Sequence, residues 1–558
     1  MRKTALPLAI AAALTAAAHA PAADGTPAPG RAIVEVATPA LPTGRGAAAR
    51  ERWHEERARS NAVLDRFADR NELEVRSRVP EIGQLAVALE GESIAELRRR
   101  LAADPRVQLV VKDRAVEPRY APNDFAFNTA DPNAPAGDFF QWNLRRSGGV
   151  GAWDMSKGGG AEVAVVDTGA YTAHPDLIGR VVATLDCDGG CGGFDVTDTN
   201  GHGTHVTGLA CADSDNSSGI ASLGFDCNLF VARYQSGMGG CSTAAAAVVA
   251  AANRGSDAIN MSYGCGAEHI SAVNYAWSLG SVPVAAGDND PVPPISYPAE
   301  AVQPEGSGPN IDSGKGVVVT AAKYDGTRAA FAQGTNGISV AAYGAASDQI
   351  SGGQQGIIST FPPLIPPVAL EGLGIRRTIN GDNRFAYLVG TSMAAPQVAG
   401  LVALMRSVKP GLSNSALIRL IKLTASNSCG YANGIGWGVI DANRAVAAAL
   451  DKDLDPPTSK VTRARPGKLR IKRFDGNRNC PDGLPVSGVR RVRVFVSRNG
   501  KKYRRLTKTK KKKVSFKPKR PGRYRFFTVA VDKAGNEEAR PERADKKLRL
   551  KKRQLARR

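Results

Sequence analysis

Apolar and polar residues alternate along Arg31-Ala32-Ile33-Val34-Glu35-Val36, a period of two that predicts a strand. Val63, Leu64 and Phe67 then fall at helical spacing inside the charge-rich stretch 51–71. Alternation returns over 84–89, Ser93 stands as a cap before a short helical stretch ending at Leu101, and Asp104-Pro105 turns into the apolar run 107–111. Strand, helix, strand, helix and strand within about 85 residues describe a small two-layer α+β domain over 31–118.

The pattern changes from Val163 to Leu450. Short apolar runs at 163–166, 229–233, 258–261 and 282–286 alternate with alanine-rich helical stretches, of which 244–253 and 394–408 are the clearest. Such alternation predicts an α/β fold, a parallel sheet flanked by helices, over 140–450. Past a Pro-rich linker at 453–458 the period returns to two, with Arg491-Val492-Arg493-Val494-Phe495-Val496 and 524–531 as the best strands. Asn499-Gly500 and Gly535-Asn536 are the turn signals. A small all-β, Ig-like sandwich is expected over 460–545, with a basic tail at 546–558.

The first twenty residues hold basic Arg2 and Lys3, an apolar stretch over 6–18 and an Ala-x-Ala pattern at Ala18 and Ala20. This reads as a secretory signal cut after Ala20, too short to span a bilayer, which needs roughly 20 apolar residues. A Pro/Gly/Ala linker fills 21–30. In an exported chain the eight cysteines are read as oxidised pairs, with 187/191, 211/227 and 241/265 the simplest set and Cys429 and Cys480 left over. A zinc site is the rival, but no Cys-x-x-Cys accompanies them.

Charge separates the last stretch from the rest. Residues 452–558 carry 38 Lys and Arg against nine Asp and Glu, a surplus of 29 in a chain whose net charge is +22, so the preceding 451 residues are 7 negative. The polycation suits anionic cell-wall polymers, a membrane surface or acidic substrates. No motif for specific nucleic-acid recognition accompanies it.

Three stretches carry candidate chemistry. Asp167 ends the run 163–166 and precedes Thr168-Gly169, which places a carboxylate at the carboxyl end of a strand. His202 lies in Asn200-Gly201-His202-Gly203-Thr204-His205-Val206, where the glycines allow close approach of a partner; the Glu between histidines four apart that a zinc protease uses is missing. Ser392 lies in Gly390-Thr391-Ser392-Met393-Ala394-Ala395-Pro396, at the start of a long Ala/Val/Leu helix whose N-terminus favours developing negative charge. Singly, each is equally a turn, a glycine-rich loop or a helix cap. Together, in the order acid, imidazole, hydroxyl, they predict a nucleophilic triad with the chain order of subtilisin. A Gly-x-Ser-x-Gly elbow, which the other common hydrolase fold needs, is not formed by 390–394.

These segments resemble the three active-site signatures of the subtilisin-like serine protease family. The resemblance covers roughly 140–450, and 31–118 occupies the place of that family's inhibitory propeptide. It implies a secreted endopeptidase made as an autoprocessed zymogen, with Asp167, His202 and Ser392 catalytic, protein or peptide substrates, its own propeptide as intramolecular inhibitor, and cleavage near 118–123. Ser262, Tyr263 and Gly264, after the run 258–261, are similar to the family's substrate-pairing strand. The family's oxyanion Asn follows an Ala-Ala-Gly run, but here Ala285-Ala286-Gly287 leads into Asp288 and Asn289, so the matching position holds an acid and Asn289 is the other candidate donor. Chemistry needs no cofactor. Asp176 and the loop 213–216 are similar to the surroundings of a structural Ca2+. The rival reading is a catalytically impaired protease-fold protein that binds anionic envelope polymers through its basic C-terminal domain.

Overall fold

A computed structural model describes residues 27–38, 47–89, 92–114, 120–132, 134–234, 240–348, 356–363, 365, 374–427, 430–475, 484–541 and 543–551. The expected signal segment, Cys429, Cys480 and the extreme C-terminus lie outside them.

Contacts divide the chain after Glu117. In the first unit an antiparallel four-stranded sheet, in the order Val75–Val79, Gln84–Ala88, Pro27–Val36, Val107–Arg114, carries the helices Ala47–Arg70 and Ile94–Leu101. Leu64 and Phe67 pack with Val34, Leu85, Leu97 and Leu101 in its core. Ser93 caps the second helix in a reciprocal box with Glu96. The Val75–Val79 strand is additional to the expected elements; four of its five residues are exposed, so it leaves no alternating pattern to read. The first strand begins at Pro27, inside the stretch expected to be linker.

The second unit centres on a seven-stranded sheet in the order Val340–Tyr343, Val317–Ala322, Val282–Ala286, Ala258–Met261, Glu162–Asp167, Asn228–Arg233, Val181–Asp186, parallel in every pairing. Val163 to Val166 are fully buried, which is why this strand is uniformly apolar. From it the chain builds first toward Asn228–Arg233 and then reverses toward Ala258–Met261. Ligands of open α/β sheets bind at such a reversal, beyond the carboxyl ends of the strands. The helix Thr391–Val408 is buried on all sides from Thr391 to Arg406, as its nearly unbroken Ala/Val/Leu composition demands.

This body reaches further than expected. It includes residues from Tyr120 onward, since the Tyr120 N–H donates to Asp154 Oδ1 at 2.6 Å and the Asn123 N–H to Asp215 Oδ1 at 3.0 Å. An antiparallel sheet of Ile357–Thr360, Asp382–Leu388 and Gly374–Ile379 is a further addition. Disulfides join Cys187 to Cys191, Cys211 to Cys227 and Cys241 to Cys265. No helix among the described residues is long and apolar enough to cross a membrane.

The C-terminal part holds two antiparallel sheets. One has three strands (Thr458–Arg465, Gly467–Phe474, Lys513–Phe516) and the other four (Arg504–Thr509, Val489–Arg498, Gly522–Asp532, Lys546–Leu550). Val461, Leu469, Ile471 and Phe516 meet Val492, Val494 and Phe526 in a shared core. The expected boundaries at 460 and 545 fall short. Lys546–Leu550, expected as the start of a tail, pairs with Gly522–Phe526 and buries Leu550.

Candidate active site

Asp167 is the last residue of its strand and is 1% exposed. Its Oδ1 lies 2.7 Å from His202 Nδ1, and it also accepts the Thr168 N–H at 2.8 Å. His202 is the first residue of the helix His202–Cys211. Gly203 makes the approach possible, because a Cβ there would lie 2.2 Å from the Gly169 carbonyl oxygen. Burial presses the His202 ring toward neutrality, but the charge of Asp167 and its hydrogen bond outweigh this, with Asp198 adding, and the ring's pKa is raised. With the proton on Nδ1 held by the carboxylate, Nε2 is left with its lone pair.

Asp198, which sequence reading passed over, ties the two loops together. Its Oδ1 accepts from Thr168 Oγ1 at 3.0 Å and from the Gly201 N–H at 2.8 Å, and its Oδ2 takes both the N–H and the hydroxyl of Thr204. Thr168 Oγ1 in turn accepts the Gly203 N–H at 2.9 Å. The signal was present as an acid four residues before His202. His205 plays a different role. It is fully buried, its Nε2 lies 3.0 Å from the carbonyls of both Ile357 and Ala386, and burial lowers its pKa to about 3. The two histidines therefore serve separate partners.

Ser392 is the second residue of the Thr391–Val408 helix and is 9% exposed. Its hydroxyl donates to the Ser262 carbonyl at 3.3 Å, while Ser262 Oγ donates to the Ser392 carbonyl at 3.1 Å. This reciprocal pair fixes Ser392 against the segment that follows the Ala258–Met261 strand. Tyr263 packs on Tyr234, with ring centroids 4.8 Å apart, and its hydroxyl is 3.2 Å from His269 Nε2. Gly264 is exposed, and the next residue, Cys265, is bonded to Cys241.

Asp288 and Asn289, the two residues expected near the oxyanion, differ in conformation and in partners. Asp288 adopts a left-handed backbone (φ +80°), and its Oδ1 accepts the N–H of Asn289 at 2.8 Å, closing its own turn. Asn289 Oδ1 takes the Thr391 N–H at 2.9 Å and the Thr391 hydroxyl at 3.0 Å. Its Nδ2 lies beside Gly390, within 3.3 Å of where a Cβ would stand.

A family model described as the subtilase family matches residues 158–438, half of the chain. The chain belongs to the subtilase family. It is 33% identical over 349 residues to the thermophilic serine proteinase of Bacillus sp. (strain AK1), which spans 61% of this chain and 76% of that one. Thermitase of Thermoactinomyces vulgaris is 32% identical over 327 residues, 56% of this chain and 99% of its own. The extracellular protease of Xanthomonas campestris is 30% identical over 421 residues, 67% of this chain and 64% of its own. Membership makes this subtilase a subtilisin-like serine endopeptidase, a hydrolase of protein or peptide substrates whose chemistry needs no cofactor.

Elsewhere in this subtilase, two fully buried carboxylates, Asp124 and Asp176, lie close enough to feel each other's charge. Asp176 Oδ1 accepts from Asn216 Nδ2 at 3.1 Å and its Oδ2 from the Ile220 N–H at 2.9 Å. Asp124 Oδ2 accepts the Asp215 N–H at 2.8 Å, and its Oδ1 has no hydrogen-bond partner among the described residues. Burial raises Asp124 to about 7 and Asp176 to about 6, each against the hydrogen bonds it accepts; the charge of Asp176 adds to the rise at Asp124, and those of Asp382 and Asp213 to the rise at Asp176. Asp213 itself is turned away to Arg180 Nε, 3.3 Å distant.

Proposed function

We propose that the chain is exported as a self-inhibited precursor and that the mature enzyme cleaves peptide bonds through Ser392, His202 and Asp167. An extended substrate pairs its backbone along Ser262, Tyr263 and Gly264. The Ser392 hydroxyl leaves the Ser262 carbonyl and passes its proton to His202 Nε2 as its oxygen attacks the scissile carbonyl. Asp167 holds the proton on Nδ1 and stabilises the imidazolium, which then protonates the leaving amine. The developing oxyanion accepts from the Ser392 N–H at the helix start and from Asn289 Nδ2. Water, deprotonated by the same imidazole, releases the acyl group. The observation that carries this reading is the 2.7 Å contact of Asp167 with His202 at the switch point of the sheet.

Residues 31–118 act as the inhibitory propeptide. The bond cut on maturation lies before Tyr120, because Tyr120 and Asn123 are hydrogen-bonded into the peptidase body. Secretion is supported by the signal-like first twenty residues and by the relative named an extracellular protease.

Asp124 and Asp176 hold a structural Ca2+. The lone buried oxygen of Asp124 and two carboxylates kept from easy ionisation are an all-oxygen donor set whose repulsion a hard cation relieves. Held by these two residues, a Ca2+ would tie the segment of Asp124 to that of Asp176 and would supply stability only, with no part in peptide cleavage.

The test is a fluorophosphonate label with mass mapping of the modified residue and of the mature N-terminus. Labelling at Ser392, lost in His202→Ala, with a terminus upstream of Tyr120 is expected. An unlabelled Ser392 in fully processed, folded protein overturns the assignment.

A further inference from the structure

The outer face of the three-stranded C-terminal sheet is cationic from edge to edge. Alternation turns Val461, Leu469, Ile471 and Val514 into the core and leaves Lys460, Arg463, Arg465, Lys468, Arg470, Lys472 and Lys513 exposed on the other side. Register places like charges directly opposite each other: Lys460 faces Lys472, Arg463 faces Arg470, Arg465 faces Lys468, and Arg470 faces Lys513 on its other flank. None of the seven forms an ion pair with a described residue. Like charges directly opposed across strands are destabilising, so the arrangement opposes folding of this sheet.

Protection of a sheet edge does not account for it. Charged residues on edge strands block pairing with other chains, but Gly467–Phe474 is the central strand, and it contributes Lys468, Arg470 and Lys472. Solubility does not require it either, since that is served by interspersed charges of both signs.

We infer that this face is a docking surface for a linear anionic polysaccharide carrying one carboxylate on each repeating sugar. The cations form a grid, about 4.8 Å between strands and roughly 6.7 Å between alternate residues along a strand, that a flexible polymer can follow with successive anionic groups. A hydroxyl residue, Ser515, is exposed opposite Lys468 among the cations and matches a sugar hydroxyl. Single-stranded nucleic acid would call for aromatic rings between the cations on which bases stack. Here the only ring at this face among the described residues is Phe474, at the very end of its strand. An anionic bilayer would call for several apolar side chains to insert, and among the described residues Phe474 alone, at the strand end, stands beside the cations. The surface works independently of the triad and retains the protease on a charged matrix.

The test compares the full chain with two quadruple variants: Lys468, Arg470, Lys472 and Lys513 to Gln on the face, and Lys508, Arg523, Lys547 and Arg549 to Gln on the other sheet. Each is titrated with polygalacturonate, an oligo-dT strand and anionic phospholipid vesicles across a salt series. The proposal expects the face variant to lose at least tenfold in polygalacturonate affinity. Its dependence of log K on log salt should flatten by about one for each cation that touched the polymer. The other-sheet variant should change less than threefold. The face variant should melt no lower than the parent, since it removes repulsion, which separates lost binding from lost folding. No polygalacturonate binding by the parent, equal losses in both variants, or tighter face-dependent binding of oligo-dT or of vesicles would each overturn the proposal.

Discussion

The side-chain oxygen of Asn289 receives both the backbone N–H and the hydroxyl of Thr391, the residue just before Ser392. Both hydrogen bonds are to the oxygen, which orients the amide nitrogen, and no described residue accepts a hydrogen bond from that nitrogen. Asp288 spends its carboxylate on its own turn. Asn289→Ala is therefore expected to lower kcat by about 100- to 1,000-fold with little change in KM. Asp288→Asn should alter kcat less than threefold. Steady-state kinetics on a peptide substrate check both, and a large gain from Asp288→Asn would place the donor there instead.

With His202 as the proposed general base, its raised pKa is expected to set the acid limb of activity. Catalysis needs the neutral ring, so kcat/KM should fall as pH drops through a value above the ordinary 6.5. The sign for stability is opposite: the ion pair with Asp167 contributes below the unfolded pKa and is lost as pH rises through the folded one. Asp167→Asn removes the charge that raises the ring and leaves burial to lower it. The acid limb should then move to lower pH, with kcat down about 10,000-fold. A pH–rate profile that stays in place would show that Asp167 does not govern the ring.

For the cation site, the expected readout is thermal. At calcium 100-fold above its Kd the ion adds about 2.7 kcal/mol, and a chelator should remove this and lower Tm by several degrees. In Asp124→Asn the chelator effect should shrink, while Ser392 still reacts with fluorophosphonate below Tm. Calorimetry with and without chelator decides it, and an unmoved Tm in the parent rejects the site.

Lys422 is fully buried, donating to the Ser313 carbonyl at 2.8 Å and to Gln303 Oε1 at 3.0 Å. Burial lowers its pKa to about 8, with Asp312 pulling weakly the other way. Because the folded value lies below the ordinary 10.5, the charged amine opposes folding in full below about 8, and that opposition fades as pH rises to 10.5. Stability should thus gain from this group across that window. Lys422→Met abolishes the gain but leaves the Ser313 carbonyl without its donor, at a cost of about 1–3 kcal/mol near neutral pH. Denaturant melts at pH 7 and pH 10 test both statements.

The central sheet was legible because its strands are buried on both faces: the runs at 163–166, 229–233, 258–261 and 282–286 announce themselves by unbroken apolar character. Strands that bury one residue in two were legible by alternation, as with Ala32, Val34 and Val36 in Pro27–Val36. The exposed Val75–Val79 strand had neither signal. Near the candidate site, the acid, imidazole and hydroxyl carried motifs, and the structure adds what motifs cannot encode. Asp198 works through a network assembled from Thr168, Gly201 and Thr204. The choice between Asp288 and Asn289 turns on a single positive φ, which a side chain other than glycine does not advertise. Register was hidden in the same way: that Lys460 opposes Lys472 depends on pairing, and the sequence shows only that both are basic.

The closing strand Lys546–Leu550 limits how this protein can be shortened. Ending the chain at 545, where the basic tail was expected to start, would strip Leu550 from the core and leave the outer flank of Gly522–Phe526 unpaired. An uncovered flank of that kind recruits strands from other molecules. A version trimmed there is predicted to clump during expression for reasons unrelated to charge, whereas one ending at Lys551 should stay dispersed.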